Sequence, residues 1–108
     1  MIDLIEDNRE AIATLCREFG VRKLAVFGSA ANGSFDSDSS DIDFVVDLGG
    51  YERGVARRYL GLIVALEAHF GRPVDVVTLH SGTSNWFRNE VQRTAITIYE
   101  RSHQAVVA

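Results

Sequence analysis

The sequence predicts an α/β (α+β) domain with a single mixed β-sheet of about four strands flanked by helices. Short apolar segments of strand length alternate along the chain with longer segments of helical periodicity. The connection over residues 29–41 is short for a helical crossover, which favours an antiparallel first pair of strands and a mixed sheet. The 108 residues are the length of one domain, so residues 1–108 are predicted to form a single unit.

Local patterns define each element in the first half of the chain. Apolar residues at helical spacing predict a helix over residues 3–19, and Gly20 ends it. The segment "KLAVF" at 23–27 is the first predicted strand. After a loop with room for one helical turn, "IDFVVDL" at 42–48 is the second, and Gly49-Gly50 breaks it.

The second half continues the alternation. The longest helix is predicted over residues 52–70, and Pro73 prevents its continuation. The segment "VDVVTL" at 74–79 is the third predicted strand. A short helix over 84–92 and an edge strand "AITIYE" at 95–100 follow.

Composition excludes several classes of protein. Apolar residues make up 46% of the chain, enough for a packed core, and the net charge of -4 argues against direct nucleic-acid binding. The single Cys16 cannot form an internal disulfide and is predicted to be a small core residue. The acidic N-terminus lacks the pattern of a signal peptide, and no apolar run could span a bilayer. A soluble cytoplasmic protein with no membrane partner is therefore expected.

Five acids and no Lys or Arg occur between Asp36 and Asp47. Asp36 and Asp38 are interpreted as solvent-facing loop residues, because turns favour Asp. Asp41 and Asp43 are two apart in an extended segment, so their carboxylates project to the same face. Such a pair repels itself, and a bound cation relieves the repulsion. Hard oxygen ligands of this kind suit Mg²⁺.

Asp75 is a third candidate ligand, because it interrupts an otherwise apolar strand where a charge is costly unless paired or coordinated. If the second and third strands are neighbours, Asp75 joins Asp41 and Asp43 in a three-carboxylate site. The alternative is that Asp75 lies near the strand end and faces water.

Gly28-Ser29 follows the first strand, where free backbone N–H groups can face an anion. Glycine lets the backbone approach a ligand closely, serine adds a hydroxyl donor, and Gly33 suits a turn with positive φ. The alternative is an ordinary loop. Together with the acids, the pair indicates a site for a nucleoside triphosphate with Mg²⁺.

The segment "FGSAANGSFDSDSSDID", with Asp75 in "VDVV", resembles the nucleotidyltransferase signature of the DNA polymerase beta superfamily. The short chain, "SDIDFVV" and "IYE" are similar to the minimal nucleotidyltransferase (MNT) group, the antitoxin partners of HEPN-domain toxins. The resemblance covers about residues 20–100 and implies the nucleotidyltransferase fold. Ala31 stands at a position that is often small in the family, and Asn32 where Arg or Thr is frequent.

The resemblance also implies roles for the matching residues. Gly28 and Ser29 would hold the β- and γ-phosphates of ATP, with Gly33 as the nearby nucleotide-binding glycine. Asp41 and Asp43 would bind two Mg²⁺ ions, and Asp75 would complete the metal site on the nucleophile side and help take the proton.

The resemblance implies that the acceptor is a tyrosine of the toxin, to which AMP is transferred from ATP with release of pyrophosphate. The implied partner is a HEPN-domain toxin in a hetero-oligomer. Two alternatives stay open: an antitoxin that masks its toxin without catalysis, and nucleotidyl transfer to a small molecule.

Two further groups of residues have ordinary interpretations. Arg53, Arg57 and Arg58 on the long helix are predicted to form a solvated face. Of the adjacent Trp86 and Phe87, one is expected to pack inward and the other to face out.

Overall fold

The computed structural model of the chain describes residues 3–32, 41–50, 52–79 and 82–101. In these ranges the chain forms five helices and four strands. In chain order they are α1 (Asp3–Glu6), α2 (Arg9–Glu18), β1 (Lys23–Phe27), α3 (Ser29–Asn32), β2 (Ile42–Asp47), α4 (Val55–Phe70), β3 (Val74–Val77), α5 (Asn85–Thr94) and β4 (Ile96–Glu100).

The four strands form one mixed sheet in the order β3-β2-β1-β4. β1 is antiparallel to both β2 and β4, whereas β2 and β3 are parallel and are joined through α4. The predicted mixed sheet is confirmed, as are the antiparallel first pair and the edge position of the last strand. The second and third strands are neighbours, as the predicted three-carboxylate site requires.

The two faces of the sheet have different environments. One face carries side chains such as Leu24, Val26 and Phe44, which are fully buried in a core that also contains Leu62 and Leu66 of α4. Side chains alternate between faces along a strand, so the residues between these point to the opposite face. That second face carries Asp43 and is partly covered by α5.

The predicted single helix over residues 3–19 is wrong, because the chain forms two helices separated by a turn at Asp7 and Asn8. The Asn8 amide Nδ2 donates a hydrogen bond of 2.7 Å to the carbonyl oxygen of Leu4, which satisfies a free carbonyl at the end of α1. Ile5 and Ile12, one on each helix, are both fully buried. The apolar pattern therefore continues across the turn between α1 and α2.

The other predicted boundaries differ by one to three residues. α4 begins at Val55 rather than at 52, because Gly54 before it has φ of +87° and is not helical. α4 ends at Gly71, as predicted, in a left-handed conformation with φ of +66°. β3 ends two residues early at Val77, and α5 continues two residues further to Thr94.

Arg58 does not belong to the solvated face predicted for the α4 arginines. Its guanidinium donates hydrogen bonds to the carbonyl oxygens of Phe19 (3.3 Å), Gly20 (3.0 Å) and Leu48 (3.4 Å). It also forms an ion pair with Glu52 at 3.2 Å. Arg58 therefore links α4 to the end of α2 and to the end of β2.

Cys16 is fully buried, as predicted, and burial raises the pKa of its thiol to about 12. In contrast, α4 exposes Leu60 and Val64, which are 60% and 66% accessible to solvent. No helix in the part of the chain that the structure describes is long and apolar enough to cross a membrane.

Candidate active site

Asp43 and Asp75 are brought together by the parallel pairing of β2 with β3. They are register partners, so their side chains leave the same face of the sheet side by side. The two carboxyl groups are close enough for the charge of Asp75 to act on Asp43. Asp41 precedes β2 by one residue, is exposed, and lies within electrostatic range of Asp43.

The environment of Asp43 disfavours its ionised form. Burial raises the pKa of the Asp43 carboxyl above its usual value, and the nearby Asp75 and Asp41 carboxylates raise it further. Asp43 is half-buried, while the other two acids are exposed. A bound cation would remove the repulsion that these groups impose on one another.

Gly28 places the backbone directly against Asp43. Its φ of +70° lies in the left-handed region, and a Cβ atom added here would lie 2.9 Å from Asp43 Oδ2. Phe27, the preceding residue, is the register partner of Asp43 across β1 and β2. The fully buried Ala30 and the nearly buried Ala31 anchor α3 immediately after the glycine. The backbone conformation therefore favours glycine at this position, and the absence of a Cβ lets the backbone lie against the Asp43 carboxylate.

Several predicted site positions cannot be placed. Ser29 begins α3 directly after Gly28, but its side chain is outside the described part of the structure. The predictions for Gly33, Asp36 and Asp38 also lie outside the described residues.

The donor set has the chemistry of a Mg²⁺ site, because Asp41, Asp43 and Asp75 offer hard carboxylate oxygens. Within residues 3–32, 41–50, 52–79 and 82–101, no group of three or more His, Cys, Asp or Glu side chains has the spacing of a formed metal site. Mg²⁺ commonly uses one or two carboxylates and completes its shell with water and substrate phosphates. The Asp43–Asp75 pair, with Asp41 nearby, fits that requirement.

The environment of Asp75 differs from the predicted one. Asp75 is exposed to solvent, so burial of its charge is not the reason for its position in an apolar strand. The open alternative, that Asp75 faces water, is correct for its exposure. Its contact with Asp43 nevertheless comes from the strand pairing.

Comparison with protein families decides which family this site belongs to. A family model described as a nucleotidyltransferase domain matches residues 9–102. The chain belongs to the nucleotidyltransferase domain family. Gly28, Asp41, Asp43 and Asp75 all fall inside the matched region of the nucleotidyltransferase domain, and their individual roles stay predictions. That one domain spans residues 1–108 also stays a prediction.

Solved structures support the fold of this nucleotidyltransferase domain. A protein provisionally described as a minimal nucleotidyltransferase is 36% identical, with a TM-score of 0.69 over 88% of this chain and 95% of that one. A chain of a toxin–antitoxin structure with AMP-PNP is 25% identical, with a TM-score of 0.69 over 87% and 74% of the two chains.

A third match shares the fold at lower identity. It comes from a structure of a tri-AMPylated Shewanella oneidensis HEPN toxin in complex with MNT antitoxin, at 20% identity and a TM-score of 0.61. The aligned region covers 89% of this chain and 72% of that one. A comparison with curated protein sequences gave no significant match.

Aromatic residues form the boundary of the site on the α5 side. The rings of Phe27 and Phe87 meet edge to face with centroids 5.8 Å apart, while Trp86 is 73% exposed. The prediction that one of the two adjacent aromatics packs inward is confirmed. The packing of Phe87 against Phe27 could not be predicted, because sixty positions separate the two residues in the chain.

Proposed function

We propose that this nucleotidyltransferase domain transfers AMP from ATP to a tyrosine hydroxyl of a HEPN-domain toxin, in a Mg²⁺-dependent reaction that neutralises the toxin. The observation that carries the proposal is the register pairing of Asp43 with Asp75, together with the close approach of the Gly28 backbone to the Asp43 carboxylate. A similar chain in a structure with AMP-PNP supports a nucleotide substrate. The AMPylated toxin in the complex of a more distant neighbour suggests the acceptor.

Each residue of the site has a role in this reaction. Asp41, Asp43 and Asp75 would hold Mg²⁺, which supplies charge neutralisation for the triphosphate and lowers the pKa of the attacking hydroxyl. The backbone at Gly28 and Ser29 would hold the β- and γ-phosphates. The Asp75 carboxylate is exposed and can accept the hydroxyl proton. The protein contributes mainly position and charge, as in other phosphoryl-transfer enzymes.

The test is transfer of radiolabel from α-labelled ATP to the protein encoded by the neighbouring gene. We expect label on that protein only when Mg²⁺ and the wild-type chain are present, and loss of labelling with Asp43→Asn. Asp7→Asn is the matched control, because Asp7 is an exposed acid in the turn between α1 and α2. If none of the four nucleoside triphosphates donates label, the enzymatic proposal fails.

The proposed assembly is a hetero-oligomer of this chain with the toxin. Light scattering of the co-purified proteins should give a mass larger than either chain alone. Two separate elution peaks at micromolar concentration would contradict a stable complex.

Masking without catalysis is a second candidate, favoured by the exposed Leu60 and Val64 on the outer surface of α4. Exposed apolar side chains of this size on one helix face suit a protein interface. The double variant Asp41→Ala, Asp43→Ala separates the two functions. If it still binds and neutralises the toxin without ATP, masking suffices; if it binds without neutralising, catalysis is required.

A further inference from the structure

The sheet face that carries Asp43 continues into a cleft of about 520 Å³. Phe27 and Asp43 are paired across β1 and β2, and the next pair on the same face is Ala25 with Val45. Both members of this second pair line the cleft. Two residues along a strand span roughly 7 Å, so the near end of the cleft lies about that far along the sheet from the Phe27–Asp43 pair.

The cleft has the composition of a binding site for an organic group. Its volume lies within the usual range for ligand pockets. Its lining combines apolar side chains with hydrogen-bonding ones and with the charged Lys23 and Asp47. The apolar residues include Ala25, Val45 and Val91, and the polar ones include Thr78, Gln92 and Thr97. α5 contributes Val91 and Gln92, so this helix forms one side of the cleft.

The geometry of the proposed reaction indicates from which side of the acids an acceptor hydroxyl would approach. In nucleotidyl transfer the attacking and leaving oxygens lie roughly in line on opposite sides of the α-phosphorus. In the proposed function the leaving pyrophosphate is held at Gly28, which follows Phe27 in the chain. Ala25 precedes Phe27 and lies on the other side of the Phe27–Asp43 pair. With the pyrophosphate at Gly28, the cleft lies on the side of this pair from which an attacking hydroxyl would approach in line.

We propose that this cleft is the acceptor subsite, and that it binds a hydroxyl-bearing side chain together with its flanking residues in an extended segment of a partner protein. The inference rests on the proposed function. The acceptor oxygen forms a bond to the α-phosphorus, and the bond from that phosphorus to the bridging oxygen breaks. Pyrophosphate leaves with the electron pair, and the hydroxyl proton passes to the Asp75 carboxylate.

A matched pair of substitutions on α5 tests this assignment. Gln92 and Asn89 are both exposed amides on the same helix, but only Gln92 lines the cleft. Gln92→Phe should fill the cleft and lower label transfer to the neighbouring-gene protein by roughly tenfold or more, whereas Asn89→Phe should not. Val45→Phe fills the cleft from the sheet side and is the second test, with its folding checked by circular dichroism.

Binding of AMP-PNP with Mg²⁺, measured by calorimetry, distinguishes the acceptor from the nucleotide. We expect the Kd for AMP-PNP to stay unchanged in Gln92→Phe while transfer falls. A parallel loss of AMP-PNP binding would assign the cleft to the nucleoside and overturn the inference. Full transfer by both Gln92→Phe and folded Val45→Phe would also overturn it. Failure of the wild-type chain to transfer any nucleotide refutes the proposed function itself, and the acceptor assignment with it.

Discussion

Replacing Gly28 by alanine should damage the candidate active site more than it damages the fold. The φ of +70° at Gly28 is unfavourable for an L-residue, and the left-handed conformation costs about 1–2 kcal/mol. For a domain of this size, each 1 kcal/mol lowers the Tm by roughly 4–8 °C. We therefore expect a clear but incomplete loss of stability.

The effect on the reaction has a separate cause. The new Cβ would lie 2.9 Å from Asp43 Oδ2, which is closer than nonbonded atoms normally approach. The carboxylate is the free end of a side chain and would rotate away, so the contact costs little stability. It does move a proposed metal ligand, and a misplacement of about 1 Å can lower the rate roughly 100-fold.

Gly71→Ala is the control, because Gly71 has nearly the same φ, +66°, and no atom lies within 4 Å of an added Cβ. The two variants should lose similar stability in thermal melts followed by circular dichroism. Only Gly28→Ala should lose label transfer, measured at a temperature where both variants are folded. Equal transfer by the two variants, or an equal loss in both, would refute the assignment of Gly28 to the site.

Three further predictions concern stability and reactivity. Because burial and the neighbouring acids raise the pKa of Asp43 above 3.8, the folded chain holds this proton more tightly than the unfolded chain. Stability is therefore lost as the pH rises through the raised pKa. In the absence of metal, Asp43→Asn should increase the Tm at pH 7 but not near pH 3. Mg²⁺ should raise the Tm of the wild type only. Arg58→Ala should lower the free energy of unfolding, measured in urea, by about 2–3 kcal/mol, since three carbonyls lose a charged donor. Replacing the exposed Arg57 by alanine should have almost no effect. Equal losses in the two variants would contradict the role of Arg58 in linking α4 to α2 and β2. Cys16, with a thiol pKa of about 12, should react with iodoacetamide only when the chain unfolds, and rapid labelling of the native protein would contradict its burial.

The sequence was sufficient to predict the sheet and the proximity of Asp43 to Asp75. Strand alternation fixes which residues share a face, so Asp43 and Asp75 were expected to meet once their strands were assumed to be neighbours. That assumption is correct. Asp75 was predicted as a ligand because its charge was expected to be buried, but an apolar strand can still place one residue at an exposed edge.

Features that depend on distant contacts could not be predicted. Arg58 satisfies carbonyls 38 and 39 positions earlier in the chain, and helical periodicity contains no information about such a partner. The turn at Asn8 was not predicted because the apolar pattern is the same in the helices on both sides of it. The cleft is lined by residues of β1, β2, β4 and α5 that are scattered along the chain, so they form no sequence motif.

The position of Asp75 on a four-residue edge strand has a consequence for the dynamics of the protein. Among the described strands, β3 pairs with β2 alone. The Tyr59 hydroxyl donates a hydrogen bond to the carbonyl oxygen of Val76, and the Glu67 carboxylate accepts one from the amide of Val74. Short strands at a sheet edge open at a lower free energy than the whole domain. Local opening of β3 would separate Asp75 from Asp43 while leaving the rest of the sheet folded. Amide hydrogen exchange in β3 should therefore slow when AMP-PNP and Mg²⁺ bind, because the ligands would oppose the separation of Asp75 from Asp43.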